Sequence, residues 1–242
     1  MNILRFLALL VVGCAIQSPS AYAAEFGELL DGPKDRPINL HPKDDVWIGL
    51  SNAPKQALPL SINPIRVAII DSGVLAEHPQ LKGLIAASKD FSGEGIEDRV
   101  GHGTVVAIIA TNGQAMLEPA EKEAKSSLII AKVTRMKDGK AVPNRNKVIA
   151  AIKWVAEQKA RIVNLSLGFP DDDDPGNDQL CETIANLKDI VFVAAAGNSG
   201  PQVRVFPAAC DVKNLISVTV QAPWGGPGDI AAPGTVQLQR LE

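Results

Sequence analysis

The chain has 242 residues, 46% of them apolar, which suits one α/β domain with a sizeable core. Its formal net charge is −3 and no basic stripe runs along it, which argues against a nucleic-acid partner. Beyond the first residues no stretch is long and apolar enough for a transmembrane helix.

Taken in order, residues 1–23 read as an export leader. Arg5 supplies the positive start, Phe6 to Ile16 is an apolar run too short to span a bilayer, and Ala21-Tyr22-Ala23 is a small-x-small cleavage site. A lipoprotein box, Val11-Val12-Gly13-Cys14, is the alternative, with lipid on Cys14. Either way the expected location is outside the cytoplasm, secreted or periplasmic. Residues 24–63 are rich in proline and charge and form an N-terminal extension with no convincing propeptide pattern. The domain proper is expected over residues 64–242.

Arg66 to Ile70 is a continuous β-branched run, as a buried parallel strand should be, and it stops at Asp71-Ser72-Gly73. His78, before Pro79, reads as structural. Asp90 to Val100 is a Gly- and acid-rich loop in which Asp98 either orders the next turn or is a solvated charge. Gly101-His102-Gly103-Thr104 then opens an apolar helix over Val105 to Thr111, stopped by Asn112-Gly113. An imidazole at a helix N-terminus is a plausible general base, because the dipole there disfavours the imidazolium.

Glu118 to Lys125 is a charged surface turn, Leu128 to Val133 the next buried strand, and Asn144 to Lys159 an amphipathic helix. Ile162 to Leu167 is another buried strand, ending in Ser166-Leu167-Gly168. The run Asp171-Asp172-Asp173-Asp174 needs water or a cation. A solvated loop is one reading and calcium the other, although calcium ligands usually alternate rather than run consecutively. Asp178 is placed to cap a helix through Cys181 to Leu187. Ile190 to Ala196 is a strand that leads into Gly197-Asn198, and Leu215 to Val220 is the last strand. Once a leader is removed, Cys181 and Cys210 are the remaining cysteines. In an exported chain they imply one disulfide, with two free buried thiols as the alternative.

In a parallel α/β sheet, ligands sit beyond the carboxyl ends of the strands. Asp71, Ser166 and Asn198 all fall there, with His102 opening a helix, so one cleft can hold them. Together these motifs resemble the subtilisin-like serine proteases, the subtilases, over about Ile65 to Gly234. The matches are Asp71-Ser72-Gly73 with Glu77-His78-Pro79-Gln80-Leu81 after it, Gly101-His102-Gly103-Thr104, Ser166-Leu167-Gly168, Ala195-Ala196-Gly197-Asn198 and Ala232-Pro233-Gly234. The resemblance implies a three-layer α/β fold with a mostly parallel central sheet. It also implies peptide-bond hydrolysis by an Asp-His-Ser triad, with Asp71 and His102 as two members. Asn198 would be the oxyanion donor, and Ser166, Leu167 and Gly168 the substrate-binding strand end. A polypeptide is the implied substrate, and no cofactor is required, calcium being possible.

Two features depart from the family. Val105 and Ile108 stand where His and Gly are usual. The Gly-Thr-Ser-x-Ala nucleophile motif is absent. In the family it follows the oxyanion Asn by about 65 residues, a position past Glu242. The expectation is therefore a C-terminally truncated catalytic domain, inactive alone, that needs a complementing C-terminal segment or a partner chain. The alternative is a pseudoprotease that binds peptide or a protein partner without cleavage. A nucleotide-binding protein or an α/β-hydrolase is disfavoured, since Gly-x-Gly-x-x-Gly after the first strand, a Walker motif and Gly-x-Ser-x-Gly are all missing.

Overall fold

The computed structural model describes residues 65–115, 127–137, 140–172, 174–220 and 225–232. The leader with Cys14, the extension over 24–63, the Glu118–Lys125 turn, Asp173 and Pro233-Gly234 lie outside the described residues. In chain order the elements are β1 (Arg66–Asp71), β2 (Ile85–Asp90), α1 (His102–Ala115), β3 (Ser127–Lys132), β4 (Thr134–Lys137), β5 (Lys140–Pro143), α2 (Arg145–Glu157), β6 (Ile162–Leu165), β7 (Phe169–Pro170), α3 (Gly176–Asn186), β8 (Val191–Ala195), β9 (Val205–Phe206), β10 (Leu215–Val220) and β11 (Ile230–Ala232).

The β-branched runs cannot alternate inside and outside, so they need cover on both faces, and a parallel sheet between helices supplies it. Seven strands form that sheet in the order β2-β3-β1-β6-β8-β10-β11. Every neighbouring pair is parallel. Successive side chains of β1 divide between two cores. Ala68 and Ile70 join Val148, Ile152 and Val155 of α2 and Leu180 and Ile184 of α3 on one face. Val67 and Ile69 join Val106, Ala107 and Ala110 of α1 on the other.

Helix α2 forms where its 3–4 spacing predicts. Asn144 is the N-cap, its side-chain oxygen accepting from the Lys147 N–H, and Val148, Ile149, Ile152 and Val155 are buried. Burying four such side chains is worth roughly 6–12 kcal/mol before ordering entropy is counted.

Three local expectations change. Helix α1 continues through Asn112-Gly113 to Ala115. Helix α3 starts at Gly176, so Asp178 lies inside its first turn and is not the cap. Pro175 holds the N-cap position, and Asp174 Oδ1 accepts the Gly176 N–H at 2.8 Å. Edge strand β2 occupies a stretch with no strand signal. Its exposure alternates and its residues include Ser88 and Lys89, because one edge and much of one face meet water.

Cys181 and Cys210 form a disulfide, with 5.4 Å between their Cα atoms. It ties α3 to the segment after β9 and encloses β8.

The order of strands positions the site. After β1 the chain builds β2 and β3 on one side, then crosses to build β6, β8, β10 and β11 on the other. The reversal leaves a crevice beyond the carboxyl ends of β1 and β6.

Candidate active site

Asp71 is the last residue of β1, and its side chain is carried to the carboxyl edge of the sheet. His102 is the first residue of α1. Two glycines bring them together. Gly73 has φ +112°, and a Cβ there would run into the Ile96 carbonyl. A Cβ on Gly103 would run into the Gly73 carbonyl and lie 3.2 Å from the Asp71 Cβ. The start of α1 therefore sits directly on the turn that follows β1.

His102 Nδ1 lies 2.8 Å from Asp71 Oδ1, and both side chains are 3% exposed. A carboxylate only accepts, so Nδ1 carries a proton, and in the neutral ring the lone pair is then on Nε2. Asp71 Oδ1 also accepts the Ser72 N–H at 2.7 Å. Asp71 Oδ2 is buried without a hydrogen-bond partner among the described residues. The pair thus has one carboxylate oxygen fixed twice, which sets the plane of the imidazole.

Asp98 belongs to this frame and is 5% exposed, so it is not a solvated charge. It accepts from Ser72 Oγ, from the N–H groups of Val100, Gly101 and Thr104, and from Thr104 Oγ1. Burial acts to raise its pKa. The hydrogen bonds from Thr104, Gly101 and Val100 outweigh burial and hold it below the ordinary aspartate value. Lys132, 2% exposed and in register with Asp71 on β3, donates to the Glu97 carbonyl at 2.7 Å. The bonds from Val100, Gly101 and Thr104 are the turn-ordering role open to Asp98 in the sequence, whereas its link to Ser72 and that of Lys132 to Glu97 span 26 and 35 residues and have no local signal.

On the other side of the crevice β6 ends near Ser166, whose Oγ donates to Asn164 Oδ1 at 2.9 Å. Leu167 turns into the core beneath α2 and α3, so its side chain does not line the crevice and only its backbone is offered. Gly168 is exposed. Asn198 is half-buried and follows Gly197, which has φ +87°. It leaves the sheet from β8, two strands from β1, a lateral distance of about 10 Å. Val205 closes the floor between these strand ends. Its side chain lies 3.3 Å from a Cβ placed on Gly168 and 3.1 Å from one placed on Gly197.

Of the two departures near His102, Ile108 is absorbed into the core on the α1 face and Val105 is half-buried. His78 is half-buried and its Nδ1 accepts the Gln80 N–H at 3.3 Å, in keeping with a structural role.

The described members of the acidic run, Asp171, Asp172 and Asp174, lie against arginines. Arg145 bonds Asp172 and Asp174, and its guanidinium lies 4.8 Å over the Phe169 ring. Arg204 lies 3.9 Å from Asp171. No group of three metal-ligating side chains occurs among the described residues.

The sequence profile of the Subtilase family matches residues 63–222. The chain is 35% identical over 146 residues to the major intracellular serine protease of Bacillus subtilis, covering 56% of this chain and 43% of that one. It is 31% identical over 185 residues to thermitase of Thermoactinomyces vulgaris, covering 70% and 63% respectively. Among solved structures it resembles a lanthipeptide protease with a TM-score of 0.55 at 17% identity, covering 72% of this chain and 56% of that one, a likeness of fold. The chain therefore spans about half of the length of these relatives.

Proposed function

The chain belongs to the subtilase family, and from that premise we propose that it carries the acid, base and oxyanion groups of a serine-type endopeptidase acting on polypeptides. The observation that carries the reading is the buried Asp71–His102 pair at 2.8 Å, at the carboxyl end of β1 and the start of α1. Asp71 holds the His102 tautomer and stabilises the imidazolium that forms when Nε2 takes a proton. His102 removes the proton of a serine hydroxyl as that oxygen attacks the scissile carbonyl, then returns it to the leaving amine. The Asn198 amide donates to the oxyanion, an interaction typically worth about 3–4 kcal/mol. Substrate backbone adds along Ser166–Gly168 as an extra strand, which asks nothing of the Leu167 side chain.

The serine comes from outside these 242 residues, which contain no Gly-Thr-Ser-x-Ala. Residues 1–242 alone are accordingly inactive, and a complementing segment or chain supplies the nucleophile. Export through residues 1–23, with lipid on Cys14 as the variant, agrees with a disulfide. No helix among the described residues is long and apolar enough to cross a membrane. Arg145 against Asp172 and Asp174, and Arg204 near Asp171, support a surface loop rather than calcium as the reading of that run.

The test is to translate the coding sequence beyond the Glu242 codon and express the chain with any Gly-Thr-Ser-x-Ala segment found. Casein hydrolysis that is lost in His102→Ala supports the reading. Absence of such a segment, together with tight peptide binding and no cleavage, favours the pseudoprotease reading that the missing motif keeps in play.

A further inference from the structure

We propose that Asp98 is a positioning residue that sets the Asp71–His102 pair by joining the two segments that carry it. The inference rests on reading that pair as base and orienting carboxylate.

A simple helix cap needs one or two N–H groups from its own turn. Asp98 does more. Oδ2 holds the Thr104 N–H at 2.8 Å and Thr104 Oγ1 at 2.7 Å. Oδ1 holds the Val100 and Gly101 N–H groups at 3.0 and 2.9 Å and reaches Ser72 Oγ at 2.9 Å. Ser72 in turn accepts the Gly103 N–H at 2.9 Å, while its own N–H fixes Asp71 Oδ1. Thr104 Oγ1 accepts the Leu75 N–H at 3.0 Å. Residues 71–75 and 100–104 are thus stitched through one buried carboxylate, and Asp71 and His102 are the groups on either side of the seam.

The carboxylate is itself held from behind. Lys132 grips the Glu97 carbonyl, and the Val74 N–H donates to the Ile96 carbonyl at 3.1 Å. A shift of Asp98 therefore moves His102 relative to Asp71, because its direct bonds to the Gly101 and Thr104 N–H groups flank His102 and its bond to Ser72 Oγ reaches the residue after Asp71.

The test is NMR of the histidine ring nitrogens in the full 242-residue chain, with His102 assigned from His102→Gln. The wild type should show a low-field, slowly exchanging Nδ1 proton on His102. Asp98→Asn keeps the volume but cannot accept all five donors, so this proton should exchange roughly tenfold faster and move toward the free-imidazole position. Thr104→Val removes one donor and should give a smaller change in the same direction. Ile152→Ala, in the core on the opposite face, loosens the domain without touching the seam and should leave the signal in place.

A folded Asp98→Asn protein with the wild-type signal would overturn the proposal. So would an Ile152→Ala protein that changes the signal equally. If Asp98→Asn does not fold, Thr104→Val decides, and an unchanged signal refutes the idea. A wild type without the low-field proton removes the Asp71–His102 reading, and with it the proposal, which is a separate result.

Discussion

Gly103→Ala sets two effects of known sign against each other. Within a helix, replacing Gly by Ala ordinarily stabilises by about 0.5–1 kcal/mol, because less backbone entropy is lost on folding. Gly103 sits in the first turn of α1, so the gain there is at the low end. Against it, the new Cβ would collide with the Gly73 carbonyl and stand 3.1 Å from the Gly73 nitrogen and 3.2 Å from the Asp71 Cβ. These are backbone atoms and the root of a buried side chain, not the free end of a flexible one. They cannot move aside alone, so α1 must back away from β1. Overpacking of this kind typically costs 1–3 kcal/mol. The collision wins, and the net loss should be about 1–2 kcal/mol, or roughly 3–6 °C in melting temperature for a domain of this size. The same displacement lengthens the Asp71–His102 contact and weakens the Gly103 N–H bond to Ser72 Oγ. Thermal unfolding followed by circular dichroism measures the first effect, and the His102 ring-proton signal the second. A Gly103→Ala protein as stable as wild type or more so, with that signal intact, would refute the close approach of α1 to β1.

Replacing Cys181 and Cys210 together by serine frees a 29-residue separation and should cost about 3–4 kcal/mol on the chain-entropy account, read in denaturant melts; either single replacement should cost as much as the pair. Ile152→Ala, at 0% exposure, should lose about 2–5 kcal/mol in the same melts. Acid should destabilise the domain through Asp98. Its folded pKa is depressed, so its contribution is complete above the unfolded aspartate value of about 3.9 and is lost as pH falls through the lower folded value. Wild type and Asp98→Asn stabilities should therefore differ at neutral pH and converge in strong acid, and parallel curves throughout would contradict this. Residues 24–242 alone should not hydrolyse casein, and turnover that disappears in His102→Ala would show that a nucleophile is present after all.

Much of the sheet could be read directly because its causes are local. A β-branched run such as Val67–Ile70 has no exposed face, so it announces a covered parallel strand, and the 3–4 spacing in α2 announces its buried stripe. That Asp71 ends a strand, His102 opens a helix and Asn198 follows a strand was legible from the apolar runs and the glycines beside them, whereas the roles assigned to them come from the family resemblance. Strand β2 was hidden because half of its residues face water, and the end of α1 because an Asn-Gly pair stops a helix only when nothing else holds the next turn. Asp178 looked like a cap until Asp174 and Pro175 proved to lie at the true helix start.

Other features belong to the tertiary structure alone. Asp98 was open to ordering its own turn or to being a solvated charge; its local bonds to Val100, Gly101 and Thr104 do the first, and the bond from Ser72, 26 residues away, forms only after β1 and α1 pack. The acidic run met Arg145 and Arg204 only when α2, α3 and the segment before β9 came together. Leu167 turned inward because the core beneath α2 and α3 offered it cover. Composition and periodicity determine which segments must be buried and which residues can do chemistry. Which charges meet, and at what distance, is decided by loop closure and packing, whose free energy no short window of sequence contains.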